Sequence, residues 1–160
     1  MDYIFSPWRY RYVSGRPPDA ACALCAKLEQ SDDAANLIVY RARHNAILLN
    51  LFPYTTGHLM ILPFQHAARL RDISAEARAE MIALAAQAEQ ALETEYQPDG
   101  LNLGLNLGAA AGAGIAGHLH FHVLPRWVAD ANFMTVVAET RVLPEDLART
   151  YQRLRPYFPT

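Results

Sequence analysis

The sequence predicts an α+β fold, with a mainly antiparallel sheet of about five strands, one long helix and a short C-terminal helix. Three observations carry this. Apolar runs of strand length recur between turn-type residues. One segment of roughly twenty residues repeats apolar side chains at three- and four-residue spacing, the period of a helix with one buried face. The order is strands, the long helix, more strands, then a short helix, rather than a strict strand-helix alternation.

Each element has its local reason. Residues 1–35 read as irregular, with an aromatic-basic start at 8–12 (WRYRY), a turn-like RPPD at 16–19, and Cys22 and Cys25. Residues 36–42 (NLIVYRA) and 45–51 (NAILLNL) read as strands around a short turn at Arg43 and His44. Residues 52–56 hold a proline and small polar residues, a loop, and 57–63 (GHLMILP) form a third strand closed by Pro63. Ser74 suits an N-cap and Glu76 the first turn of the long helix; Ala77, Met81, Leu84, Ala85, Ala88 and Leu92 then mark its buried face as far as about Tyr96. Residues 101–108 (LNLGLNLG) alternate as a half-buried strand does. A glycine-alanine loop at 108–117 leads into a further strand, 118–125 (HLHFHVLP), and 133–138 read as a short strand. The last helix is expected near Pro144 and Glu145, since proline is well tolerated in a first turn. No repeat or second domain is legible, so residues 1–160 read as one domain.

Composition narrows the function. The 160 residues are 52% hydrophobic and 19% charged, enough to fold around a core. A net charge of −2 and a pI near 6.3 argue against a nucleic-acid partner, though a small anionic ligand needs only local donors. The apolar run 46–52 is far too short to span a bilayer, and no secretory h-region precedes the arginines of the first twenty residues, so no membrane partner and a cytoplasmic location are expected. Two cysteines exclude a disulfide framework; in a reducing compartment C-x-x-C points to metal or redox chemistry.

Residues 112–122 (GAGIAGHLHFH) pose the functional question. Their first six match G-x-G-x-x-G, but a dinucleotide site needs that turn to open a helix whose N-terminus receives the pyrophosphate. Here strict alternation follows, so the dinucleotide reading is rejected and no organic cofactor is expected. The glycines still permit positive φ and close backbone approach, as an anion-binding nest requires. His118, His120 and His122 then project to one face of a strand, neighbours about 6.6–7 Å apart, while Leu119, Phe121 and Val123 enter the core. On spacing alone, a metal site, a solvated row and a nucleophilic or acid-base group all remain open.

The HLHFHVL stretch resembles the H-x-H-x-H-x-x motif of the histidine triad (HIT) superfamily. The likeness continues in 48–66 (LLNLFPYTTGHLMILPFQH), similar to that family's nucleoside-binding strand-loop-strand, and in 101–114, similar to its phosphate loop. Residues 125–134 (PRWVADANFM), 6–13 (SPWRYRYV) and the C-x-x-C resemble the bacterial branch that includes diadenosine tetraphosphate phosphorylases. The resemblance implies a HIT-like fold and a dinucleoside polyphosphate substrate, diadenosine tetraphosphate foremost, with His120 attacking an α-phosphorus to form a nucleotidyl-histidine. Water or inorganic phosphate would resolve that intermediate. The resemblance leaves as alternatives a hydrolase of nucleoside phosphoramidates or other mononucleotide conjugates, or a zinc-stabilised nucleotide-binding protein without turnover. It also implies that His122 contacts the transferred phosphate, that Asn106 and the loop amides at Gly112 and Gly114 bind its oxygens, and that Asn50 contacts the ribose. Leu48 would hold the base, and His58 would lie close to the triad. Trp127 offers either an aromatic surface for a base or a core contact. By the same likeness, a structural zinc would be held by Cys22, Cys25, His66 and His118, and the protein would be a homodimer with the sheet continued across the interface. One departure stands out: 114–117 (GIAG) lacks the glutamine, serine or threonine that many triad proteins place before the first histidine.

Overall fold

The computed structural model describes residues 21–128, 130 and 143–159. The aromatic-basic start and the strand expected at 133–138 lie outside the described residues. Among the described residues two short helices, α1 (Ala23–Leu28) and α2 (Asp33–Asn36), come first, which corrects the expectation of irregular chain over residues 23–35. Leu24 and Leu28 stand one turn apart and bury together against the sheet, so packing supports a six-residue helix that would not persist alone. Asp32 caps α2, its side chain accepting the Ala35 N–H at 3.0 Å.

The strands are β1 (Ile38–Arg41), β2 (Asn45–Leu49), β3 (Leu59–Pro63), β4 (Gly100–Leu105) and β5 (Phe121–Arg126). They form one sheet in the order β1-β2-β3-β5-β4, with every neighbouring pair antiparallel. Every residue of β2 and β3 is buried, which is why both read as continuous apolar runs without alternation. On one face Ile47, Leu49, Leu59, Ile61 and Val123 pack beneath α3 (Ala75–Tyr96), meeting Met81, Leu84, Ala88 and Leu92. On the other, Ile38, Ala46, Leu48, Met60 and Leu62 receive Leu24 and Leu28 of α1. The sheet therefore lies between two helical layers. Because Met60 pairs with His122, the histidines open on the α1 side.

Helix α3 begins where expected, with the Ser74 hydroxyl accepting the Ala77 N–H at 3.1 Å, and ends at Gln97 in the left-handed region. It carries the chain from β3 to the outer strand β4. Every strand is bounded differently from expectation at one end or both. β1 runs Ile38–Arg41 rather than 36–42, β2 stops at Leu49 rather than 51, and β3 starts at Leu59 rather than 57. β4 stops at Leu105 rather than 108, and β5 starts at Phe121 rather than 118. Leu105–Phe121 is the last ladder pair. Upstream of it the Leu119 N–H donates to the Ala67 carbonyl at 2.6 Å, so the segment after β3 takes the bonds a neighbouring strand would. The final helix, α4 (Leu147–Leu154), starts just past Pro144 and Glu145, because the Asp146 carboxylate caps it at the Arg149 N–H, 2.8 Å away. Among the described residues no helix is long and apolar enough to cross a membrane.

Candidate active site and metal cluster

Burial removes one of the three readings of the histidines: His118 is 1% and His120 7% exposed, so they are not a solvated row. Each ring has its own partner. The ring nitrogen Nδ1 of His120 lies 2.8 Å from the His118 carbonyl, two residues back. A carbonyl only accepts, so Nδ1 carries the hydrogen and Nε2 keeps its lone pair. The His120 and His122 rings both line a cavity of about 200 Å³ on the α1 side of the sheet.

His122 is set by a longer relay. The Tyr54 backbone N–H donates to His58 Nδ1 at 3.1 Å, with the Asn50 amide also 3.3 Å away. His58 Nε2 therefore carries the hydrogen and donates to His122 Nδ1 at 2.9 Å. That leaves the hydrogen of His122 on Nε2. Burial, with the neighbouring His120 charge adding, lowers the pKa of His122 to about 4 and keeps the ring neutral near pH 7. Two rings two residues apart, at and just before the start of β5, thus present opposite functions, a lone pair on His120 and an N–H on His122.

The remaining cavity wall comes from three places. Leu48 and Met60 supply an apolar floor from β2 and β3, and Gly112, Gly114 and Ile115 supply the loop. Ala23, Leu24 and Lys27 of α1 close one side. The α1 residues and Tyr54 were not legible as site residues, although the four-residue Leu24/Leu28 spacing beside the C-x-x-C was a usable signal for a docked helix. Asn50 also lines the cavity; its side-chain carbonyl accepts the Phe52 N–H at 3.0 Å, which holds the 50–54 turn.

Three residues expected at the substrate do not line the cavity. His58 is 1% exposed and reaches it only through His122. Asn106 stands just past the end of β4. Trp127 follows the last residue of β5, five positions beyond His122 and thus about 16 Å along the strand; its ring packs edge-to-face on Tyr96, centroids 6.5 Å apart.

Beside the triad lies a second cluster. His118 Nδ1 is 3.4 Å from both Cys22 Sγ and Cys25 Sγ, and His66 Nδ1 is 3.2 Å from Cys25 Sγ. All four ligand atoms fall within 4.8 Å of one another. A tetrahedral zinc, with Zn–S of about 2.3 Å and Zn–N of about 2.0 Å, has S···N edges of about 3.5 Å, so these residues fit it. The Pro63 carbonyl accepts the His118 Nε2–H at 2.9 Å and turns the bare Nδ1 toward the sulfurs, the outer-shell arrangement of metal-bound histidine. Burial is the main cause that pushes the His118 pKa down, which favours the unprotonated ligand form. Burial also raises the Cys25 thiol, with Cys22 beside it adding to the effect, so a cation would be needed to draw out the thiolate.

Residues 31–128 match the family model described as the HIT domain. The chain is 35% identical over 161 residues to a protein of Mycobacterium tuberculosis named AP-4-A phosphorylase, covering 96% of this chain and 82% of that one. It is 28% identical over 93 residues to the asymmetrical bis(5'-nucleosyl)-tetraphosphatase of Schizosaccharomyces pombe, covering 58% and 50%. A Zn-bound histidine triad family protein from Mycobacterium smegmatis superposes with a TM-score of 0.66 at 26% identity, over 86% of this chain and 92% of that chain.

Proposed function

The chain belongs to the HIT domain family, and on that premise we propose that it cleaves dinucleoside polyphosphates, diadenosine tetraphosphate foremost, by transferring a nucleotidyl group to His120. One observation carries the assignment of the nucleophile: the His120 Nδ1–H is tied to the His118 carbonyl, so Nε2 keeps its lone pair on a ring that lines the cavity.

Nε2 of His120 attacks the α-phosphorus, the bond to the bridging oxygen breaks, and ATP leaves. Positive charge developing on the imidazole is stabilised through Nδ1–H by the His118 carbonyl. The Nε2–H of His122 and the backbone amides near Gly112 and Gly114 donate to the nonbridging oxygens as charge shifts onto them. Leu48 and the apolar floor hold the base, and Asn50 lies where a ribose would follow. Asn106 is the remaining polar side chain on the approach to the glycine loop. Inorganic phosphate then attacks the nucleotidyl-histidine, releasing ADP and restoring His120. Because 114–117 carry no polar side chain, the loop contributes through its backbone alone.

The same reading gives Cys22, Cys25, His66 and His118 a structural zinc, which would draw the thiolates and tie α1 to the triad. It also locates the protein in the cytoplasm, where its thiols stay reduced, and pairs it with a second copy so that the sheet continues across the interface. Product analysis tests the activity. ADP plus ATP formed only with phosphate is the expected result, and His120→Ala should lower turnover by at least ~10³-fold. AMP plus ATP without phosphate would make the acceptor water, as the name of the Schizosaccharomyces relative suggests. Nucleotide bound without turnover would leave a binding protein.

A further inference from the structure

We propose that the Cys2His2 cluster is a local clamp on the nucleotide cavity, setting nucleotide affinity as well as local stability. The inference rests on reading the cluster as a metal site, and it follows from how ligand-bearing and cavity-forming residues interleave.

Helix α1 has only six residues and its N-cap, Cys22, makes no side-chain capping bond. A helix of that length needs external anchors. Its C-terminal end has them: Arg41 donates to the Leu28 carbonyl at 2.8 Å and the Gln30 carbonyl at 2.7 Å. The N-terminal end is where both sulfurs face His66 and His118. Ala23 and Leu24, between the two cysteines, and Lys27, one turn on, are the residues α1 gives to the cavity. Whatever fixes the sulfurs therefore fixes that wall. His118 repeats the pattern within one residue: its ring faces the sulfurs while its carbonyl receives the His120 N–H. A cation shared by the four groups would hold a cavity wall and the group that orients the nucleophile. The clamp is local because the core beneath α3 is built from other residues, on the opposite face of the sheet.

The test compares the zinc-loaded full chain with the same protein stripped by a chelator, with AMP as the probe. Metal content, AMP affinity by calorimetry and helix content by circular dichroism are measured on both. The expected result is one equivalent of zinc, AMP affinity at least ~10-fold weaker after stripping, and retention of the α3 helix signal. Ala23→Phe in the loaded protein should also weaken AMP binding, with zinc content unchanged, since Ala23 is exposed and lines the cavity. Equal AMP affinity with and without bound zinc overturns the clamp while leaving the metal site standing. Unfolding of the whole chain on stripping also overturns it, because the metal would then be a requirement of the fold. A chain that takes up no zinc fails the metal reading itself, a separate and recognisable result.

Discussion

His58 acts on the cavity without entering it. Its ring accepts the Tyr54 N–H on one side and donates to His122 on the other, so its substitution should change a tautomer more than a binding surface. His58→Leu removes both bonds and is expected to lower kcat by ~10–100-fold while AMP affinity changes much less. His58→Gln, which can accept and donate at once, should retain more activity; equal losses in both variants would show that packing, not the relay, is what matters. The titration of His122 gives a second expectation. Its folded pKa is held near 4, chiefly by burial, whereas an unfolded histidine titrates at about 6.5. Between those values the unfolded chain binds more protons, so stability falls as pH drops from about 6.5 toward about 4 and is level just above that window. The His118 pKa, also lowered by burial, adds in the same direction in metal-free protein. Thermal melts from pH 8 to 4 check this, and a Tm that stays constant through the window contradicts it.

At the scale of elements, the turn into β3 decides where His58 stands. Gly57 has φ +81°, and a Cβ there would lie 2.9 Å from the Leu92 side chain and 3.2 Å from Tyr96. Gly57→Ala is therefore expected to cost about 1–3 kcal/mol, read from urea unfolding. At the other end of the packing, Ser74→Ala should cost about 1 kcal/mol through loss of the α3 cap. That helix was legible throughout, since its cap, its period and its end are properties of consecutive residues. The ends of β4 and β5 were not. Both end their pairing at Leu105–Phe121, and upstream of β5 the Leu119 N–H turns to the Ala67 carbonyl after β3, which periodicity within either strand does not register. Helix α1 escaped for the opposite reason: six residues carry too little pattern, and its anchors lie in other elements.

For the whole molecule, the sheet separates two tasks. The α3 face is the larger apolar core, while the α1 face carries the cavity and the cysteine-histidine cluster. Leu92, fully buried on the α3 face, gives the contrast: Leu92→Ala is expected to cost about 2–5 kcal/mol with AMP affinity of the folded protein unchanged. A matching loss of affinity would show that the two faces are coupled. Helix α4 docks onto α3 with Leu154 buried in the same core, Arg153 donating to the Glu95 carboxylate and the Tyr96 hydroxyl donating to Glu145 at 2.7 Å. That network belongs to the same supporting layer.

The sequence by itself determined the long helix and its buried face, the apolar strands, the alternation of the histidines and the pairing of two cysteines three residues apart. All of these are periodicities or spacings of near neighbours, which the chain states wherever it folds. Only the tertiary structure decided what each histidine can do. His118 gains its orientation from Pro63, 55 residues away, and His122 gains its proton position from His58, 64 residues away. It likewise brought α1 to the cavity and left Trp127 against Tyr96. A local pattern tells which side of an element a residue occupies; the hydrogen-bond partner waiting on that side depends on strand order, and that partner fixes the tautomer and so the chemistry.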